Sequence, residues 1–183
     1  MTGHAGDTFA VRRLTAREAT ERAAELSAVL ADCVEGGASV GFMAPLSRDR
    51  AHAFWRRVAE GVASGDRVLL VAEDRPGGEI AGTVQLVLGL PENQPHRAEV
   101  AKMLVRRSAR RRGLGAVLMR AAADAAREAG RTLLVLDTVT GGDAERLYER
   151  LGWTRVGVVP GYALMPDGVP CDTTILFLSL SGG

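Results

Sequence analysis

Residues 98–130 constrain the fold more than any other part of the chain. They read AEVAKMLV, a run typical of a β-strand, then RRSARRRGLG, and then a segment in which Val117, Leu118, Ala121 and Ala125 recur at helical spacing. A strand that passes through a glycine-containing turn into an amphipathic helix is the first half of a crossover unit. The chain is therefore predicted to build a sheet that is covered by helices.

The other elements are predicted from the same kinds of pattern. Thr15 and Glu18 have capping-box spacing at the start of a first helix that runs to about Val34, and Ser47 can cap a second. The predicted order is β-α-α-β-β-β-α-β-α-β-β, an α/β (α+β) domain with a mixed sheet. Strands are expected at residues 8–15, 67–74, 79–90, 98–105, 132–138, 153–159 and 173–180, and helices at 15–34, 48–63, 114–130 and 143–152, with turns at 75–78 and 160–171.

Length and composition predict one ordinary domain over residues 1–183, structured from about 9 to 180. Hydrophobic residues make up 46% and charged residues 25% of the 183, which excludes a disordered chain. There is no apolar signal-peptide core and no apolar run long enough for a membrane span. We expect a cytoplasmic protein with no membrane partner, as a monomer or homodimer.

The cysteines and histidines give no sign of a metal site or a disulfide framework. Cys33 and Cys171 are far apart, and His4, His52 and His96 are dispersed. Cys33 ends an alanine-rich helix, so it is interpreted as a small core residue. Trp55 and Trp153 are also expected in the core.

Five arginines occupy residues 106–112, although the whole chain has a net charge of only +1. Together with Gly113, Gly115 and a helix N-terminus, they predict an anion site. The missing GK[ST] ending argues against a nucleoside-triphosphate loop, and the missing third glycine argues against a dinucleotide fingerprint. The balanced charge and the lack of interleaved aromatic residues argue against a nucleic-acid partner.

The remaining motif, R-x-x-G-x-G at residues 110–115, resembles the signature of the GNAT superfamily of N-acetyltransferases. LYERLGW resembles a second conserved helix of that family, and the order of elements matches its fold. GGASVGFMA, AEVAKMLVRRSARRRGLG, LVLDT and TRVGVVPGYALMPDG are more narrowly similar to the tabtoxin-resistance type, enzymes that inactivate a small amino-acid-like toxin.

The resemblance implies acetyl-CoA as cosubstrate, with its pyrophosphate on the arginine-glycine turn and no metal. It also implies that the strand before the turn is separated from its neighbour, so that its backbone binds the pantetheine arm. The implied coenzyme-binding residues are Met103, Leu104, Val105, Arg110, Arg111, Arg112, Gly113, Leu114, Gly115 and Ala116. Some of the arginines Arg106, Arg107 and Arg111 are expected to face solvent or the 3'-phosphate.

Acetyl transfer to an amine needs a base for the amine and an acid for the departing thiolate. The resemblance favours Glu99 and Asp137 as the base and Tyr148 as the acid. The residues alone are also consistent with purely structural roles. Glu99 would then be an exposed carboxylate at a strand end, Asp137 would order a loop and Tyr148 would be a core residue. Many relatives carry an asparagine seven residues before the tyrosine, where this chain has Gly141.

The glycine-rich segments at residues 36–43 and 160–168 could fold over a small polar acceptor. Ser39, Phe42, Tyr162 and Asp167 are the candidate acceptor-binding residues. The expected activity is acetylation of a small amine, such as an amino-acid-like antibiotic or toxin. The alternatives are a protein or peptide N-acetyltransferase and a non-catalytic module that senses acyl-CoA.

Overall fold

The computed structural model describes residues 9–75 and 78–180. His4, Thr8, the middle of the predicted turn at 75–78 and the last three residues of the chain lie outside the described residues. Seven strands form one sheet in the order β1-β2-β3-β4-β5-β7-β6. The strands are β1 Phe9–Arg13, β2 Arg67–Asp74, β3 Ile80–Val87, β4 Arg97–Val105, β5 Leu133–Val139, β6 Thr154–Leu164 and β7 Pro170–Ser179.

The sheet is mixed, as predicted. Only β4 and β5 pair in parallel, and every other neighbouring pair is antiparallel. The helices are α1 Ala16–Glu21, α2 Ala23–Glu35, α3 Arg48–Ser64, α4 Leu114–Glu128 and α5 Asp143–Arg150. A 3-10 turn at Arg107–Ala109 joins β4 to the loop before α4.

Helices cover both faces of the sheet, and two buried clusters result. The first holds α4 and α5 against side chains such as Val68, Leu70 and Leu134. The second holds α1, α2 and α3 against Leu69 and Val71 among others. Because successive residues of a strand point to opposite faces, the apolar run of β2 contributes to both clusters.

The predicted first helix is two helices, which is a correction to the sequence interpretation. The capping box of Thr15 and Glu18 is present, but the chain breaks at Arg22 before α2 begins. The Arg22 side chain forms ion pairs with Glu25 and with Glu73 of β2. The partner on β2 is 51 residues away along the chain, so helical periodicity could not have shown the break.

The predicted turn at 160–171 is mostly strand, which is the second correction. β6 continues to Leu164 and β7 resumes at Pro170, so the turn is only five residues long. The register between the strands shifts before Ala163, and Asp172 accepts a hydrogen bond from the N–H group of Gly161 at 2.8 Å. A glycine and a proline therefore lie within an irregular edge strand.

The core assignments made from the sequence are confirmed. Cys33, Trp55 and Trp153 are all buried. The Cys33 thiol donates to the Val105 carbonyl at 3.5 Å, and burial raises its pKa despite the opposing charge of Arg110. A raised pKa keeps the thiol protonated, which fits a core residue rather than a nucleophile.

Candidate active site

The candidate site lies where β4 and β5 separate. The two strands pair only from Arg97 with Leu133 to Glu99 with Val135, although both continue beyond that point. Beyond Glu99, β4 pairs only with β3 on its other side. The separation implied by the family resemblance is therefore present, and it leaves the β5-facing backbone of β4 open to a ligand.

A bulge at Lys102 shapes β4 at this separation. Gln85 of β3 pairs with Ala101 and Thr83 pairs with Leu104, so β4 has one extra residue between them. Lys102 has a φ of 50°, in the left-handed region. The buried hydroxyl of Thr83 donates to the Lys102 carbonyl at 2.9 Å, which holds the bulge in place.

The arginine-glycine turn presents a row of unpaired backbone donors. Within the described part of the chain, none of the N–H groups of residues 111–115 has an acceptor. Arg111 and Gly113 have φ values of 61° and 78°, and Gly113 begins α4 with no side-chain cap. Successive N–H groups around left-handed residues at a helix N-terminus form an anion-binding concavity. The turn therefore fits a diphosphate.

The arginine side chains of this segment are less available than the sequence suggested. Arg107 is held by Asp32 at 2.8 Å, and Arg110 donates to the Val105 carbonyl at 3.2 Å. The Arg112 guanidinium lies over the Phe9 ring, 4.6 Å from its centroid, so it points toward β1. The groups that remain available to bind an anion are the backbone N–H donors of the turn and the exposed side chain of Arg111.

Gly115 has a packing role in addition to its place in the motif. A Cβ atom there would lie 2.9 Å from the Leu147 side chain of α5 and 3.8 Å from Met103 of β4. The missing side chain therefore lets α4 and α5 approach each other beside the separated strands.

Glu99 and Asp137 share one face of the sheet. Glu99 is paired with Val135, and Asp137 follows two residues later on β5, about 6–7 Å along the strand. The neighbours Ala98 and Leu136 point to the opposite face, into the core formed with α4 and α5. Glu99 is half exposed and pairs with Arg97 at 3.0 Å. Asp137 is exposed and makes no ion pair or hydrogen bond among the described residues.

Tyr148 approaches the same place from the other face. It is 5% exposed and packs against Trp153, with ring centroids 6.0 Å apart. Burial raises the pKa of Tyr148, and the negative charge of Asp137 raises it further. The phenol therefore stays protonated, within electrostatic range of Asp137, and its hydroxyl has no hydrogen-bond partner in the described chain.

The loop around Gly141 is organised by a residue that the sequence reasoning missed. Glu145, buried in the first turn of α5, accepts a hydrogen bond from the Gly141 N–H group. Burial raises the pKa of Glu145, but this hydrogen bond and its other partners outweigh burial, so the net shift is downward. The Gly141 N–H group is thus already used, and it does not replace the family's asparagine as a donor.

The two predicted acceptor segments meet in the structure. The Ser39 hydroxyl donates to the Leu164 carbonyl at 3.0 Å, and the Ala44 N–H group donates to the Pro166 carbonyl at 3.0 Å. The loop between α2 and α3 therefore rests on the turn between β6 and β7.

The four predicted acceptor residues occupy different positions in this assembly. Ser39 spans the contact, and Phe42 packs edge-on against Phe54 at 5.3 Å. Tyr162 is 59% exposed on β6, and Asp167 accepts from the Val169 N–H group within its own turn. The exposed His96 lies in the loop before β4, where its carbonyl accepts from the Thr132 N–H group at 2.8 Å.

Lys102 is the site residue that the sequence reasoning passed over. It is the only lysine in the chain, which has 22 arginines. The rarity of lysine in this chain is a signal that the sequence offers, but the bulge that directs the side chain could not be deduced from the sequence.

No group of histidine, cysteine and acidic residues in residues 9–75 and 78–180 could hold a metal ion. Across the same ranges, no helix has the length and apolarity needed to cross a membrane.

The separated strands and the row of unpaired N–H groups match what the family resemblance implies for an acyltransferase that uses a coenzyme. The model of the acetyltransferase (GNAT) family matches residues 30–153, which is more than half of the chain. The chain therefore belongs to the GNAT acetyltransferase family and uses acetyl-CoA.

Solved structures support the fold. A protein assigned as a phosphinothricin N-acetyltransferase has 22% identity and a TM-score of 0.76, and the match covers 96% of this chain and 100% of that one. The protein yncA from Salmonella typhimurium, assigned as an acetyltransferase and solved with acetyl-CoA, has 20% identity and a TM-score of 0.77, and the match covers 96% of this chain and 95% of that one. A ribosomal-protein-alanine N-acetyltransferase from Brucella melitensis has 21% identity, a TM-score of 0.76 and coverage of 93% and 99%.

Proposed function

We propose that this acetyltransferase acetylates the amine of a small amino-acid-like molecule, such as an antibiotic or toxin of that kind. The main support is the contact between the loop after α2 and the turn between β6 and β7, through Ser39 and Leu164 and through Ala44 and Pro166. A bridged loop of this kind favours a compact acceptor over an extended peptide. The phosphinothricin-type neighbour is consistent with this acceptor class.

The coenzyme supplies an acetyl group activated as a thioester. We propose that the N–H groups of residues 111–115 bind its phosphates and that Met103, Leu104 and Val105, on the edge of β4 that β5 leaves unpaired, bind its pantetheine arm through their backbone. The Val105 carbonyl is not available for this contact, because it accepts from Cys33 and Arg110. Leu114 and Gly115 belong to the donor row, and Ala116 is the first residue after it, with its own N–H group bonded to the Gly113 carbonyl at 3.1 Å.

Asp137 and Glu99 supply the negative charge that an acceptor ammonium group requires. We assign proton acceptance first to Asp137, because no described residue forms a hydrogen bond or ion pair with it, whereas Glu99 is paired with Arg97. Once the amine has lost a proton, its nitrogen forms the new C–N bond and the C–S bond breaks. Tyr148 donates its proton to the departing sulfur, and the second amine proton leaves through the carboxylates and water.

The test is thiol release from acetyl-CoA over a panel of small amines, amino acids and short peptides, with mass spectrometry of each product. We expect turnover on a small amino-acid-like amine and a loss of about 100-fold or more in Asp137→Asn, which preserves the shape of the side chain. Turnover on peptides alone would replace the proposal with the peptide alternative. Full activity in Asp137→Asn would remove the assigned base.

A further inference from the structure

We propose that Lys102 binds a carboxylate of the acceptor, so that the enzyme selects amines carrying an acidic group. This inference rests on the proposed function and deepens it, because it states which small amines the same site takes.

The bulge places the Lys102 ammonium group beside the loop that follows α2. A Cβ atom built on Gly41 would lie 3.6 Å from Nζ of Lys102, and Nζ lies 5.6 Å from the centroid of the Phe54 ring on α3. Gly41 belongs to the same loop as Ser39 and Phe42. The ammonium group is therefore located on the acceptor side of the sheet, the side to which Glu99 and Asp137 also point.

Within the described part of the chain, no anionic group contacts the ammonium group of Lys102. Among the described residues, Lys102 makes no ion pair and its Nζ makes no hydrogen bond. Burial lowers the pKa of Lys102, Asp137 partly offsets this, and Arg67 adds to the lowering. A partly buried cation without a counter-ion is unfavourable in the free protein, and an anionic group of a ligand would relieve that cost.

Lys102 and Asp137 together offer two opposite charges around one space. An α-amino acid has both complementary charges, an ammonium group for the carboxylates and a carboxylate for Lys102. Binding at both ends would also fix the direction of the amine, because a reversed acceptor would bring like charges together. An amine without a carboxylate would leave the lysine unpaired.

The first experiment compares acceptors and their neutral analogues. The ratio of kcat/KM for an accepted amino acid to that for its α-carboxamide is measured in the wild type and in Lys102→Met. We expect the ratio to fall by about 10- to 100-fold in the variant, the range of a charge-assisted hydrogen bond. Arg17→Met, which removes an exposed charge paired with Glu21 on α1, controls for net charge. An unchanged ratio in Lys102→Met would overturn the proposal.

The second experiment does not depend on turnover. Because Lys102 is the only lysine, protein labelled with ¹³C at lysine Cε gives one side-chain NMR signal whose pH titration can be followed. A mixture of neutral L-amino acids should raise the titration midpoint, whereas the mixture of their α-carboxamides should not. Equal behaviour of the two mixtures would contradict carboxylate binding. A raised midpoint in a protein that acetylates no amine would contradict the proposed function and leave the carboxylate site standing.

Discussion

At the scale of single residues, the proposed acid–base roles depend on whether each side chain already has a hydrogen-bond or ion-pair partner. Among residues 9–75 and 78–180, Asp137 lacks one, whereas Glu99 pairs with Arg97, and Tyr148 is protonated inside the core. A base needs access to its proton, and an acid must still carry one at neutral pH. The proposed division of roles between the carboxylates and the phenol rests on these surroundings.

Replacement of Tyr148 by phenylalanine tests the acid role. The ring should keep its packing against Trp153, while the proton for the leaving sulfur is lost. We expect kcat to fall by about 100-fold and the Kd for acetyl-CoA to change less than about twofold. Stopped-flow kinetics and calorimetry measure the two quantities. A normal kcat would leave Tyr148 as a core residue only.

Paired substitutions at Gly113 test the anion site. Asparagine and aspartate have the same shape and both tolerate the left-handed backbone that Gly113 adopts. Only aspartate adds a negative charge beside the row of free N–H groups. Calorimetric titration with coenzyme A should give a Kd about tenfold weaker for Gly113→Asp than for Gly113→Asn. Equal affinities would place the diphosphate elsewhere.

At the scale of elements, an ion-pair cluster joins the break between α1 and α2 to the sheet. Glu73 of β2 pairs with Arg12 at 2.9 Å and also with Arg22, while Glu18 pairs with Arg12 at 2.6 Å. Burial raises the pKa of Glu73, but the two arginines outweigh it and the net shift is downward. The pKa of Glu18 is lowered to about 2. The largest cause is the hydrogen bond from the Thr15 backbone, and hydrogen bonds from the side chains of Arg12 and Thr15 add to it.

These lowered pKa values predict that the fold becomes less stable as the pH falls. Carboxylates whose folded pKa lies below the unfolded value stabilise the fold fully above about pH 5, and the contribution is lost as pH falls toward 2. The urea midpoint of unfolding should therefore drop between pH 5 and pH 2.5. In Glu73→Gln the drop should be smaller, because one of the titrating groups is gone. An identical pH dependence in the two proteins would show that Glu73 does not contribute.

The same elements show what the sequence could and could not predict. The starts of two helices could be predicted from Thr15 with Glu18 and from Ser47, because a helix cap depends only on residues that are close in sequence. The long β6 was missed because its irregularity is stabilised by Asp172 across the hairpin. The sequence also predicted that the motif containing Gly113 lies at the start of α4. It could not predict the side-chain directions of Arg107 and Arg112, because their partners Asp32 and Phe9 are distant in sequence.

At the scale of the whole molecule, the sheet brings three separate contributions to one place. The strand separation at Glu99 opens a slot, the start of α4 supplies unpaired donors, and the loop after α2 rests on the β6–β7 turn. The family model establishes the acetyltransferase class and its use of acetyl-CoA. The central claim is that the slot and the donor row together form the coenzyme site.

Hydrogen exchange with and without coenzyme A tests this claim most directly, because the amide groups of residues 111–115 have no acceptor among the described residues of the free protein. Coenzyme A should slow exchange in peptides that contain residues 103–105 and 111–115, with no comparable change in β6 or α1. Protection confined to other segments, with residues 111–115 exchanging as in the free protein, would contradict the account.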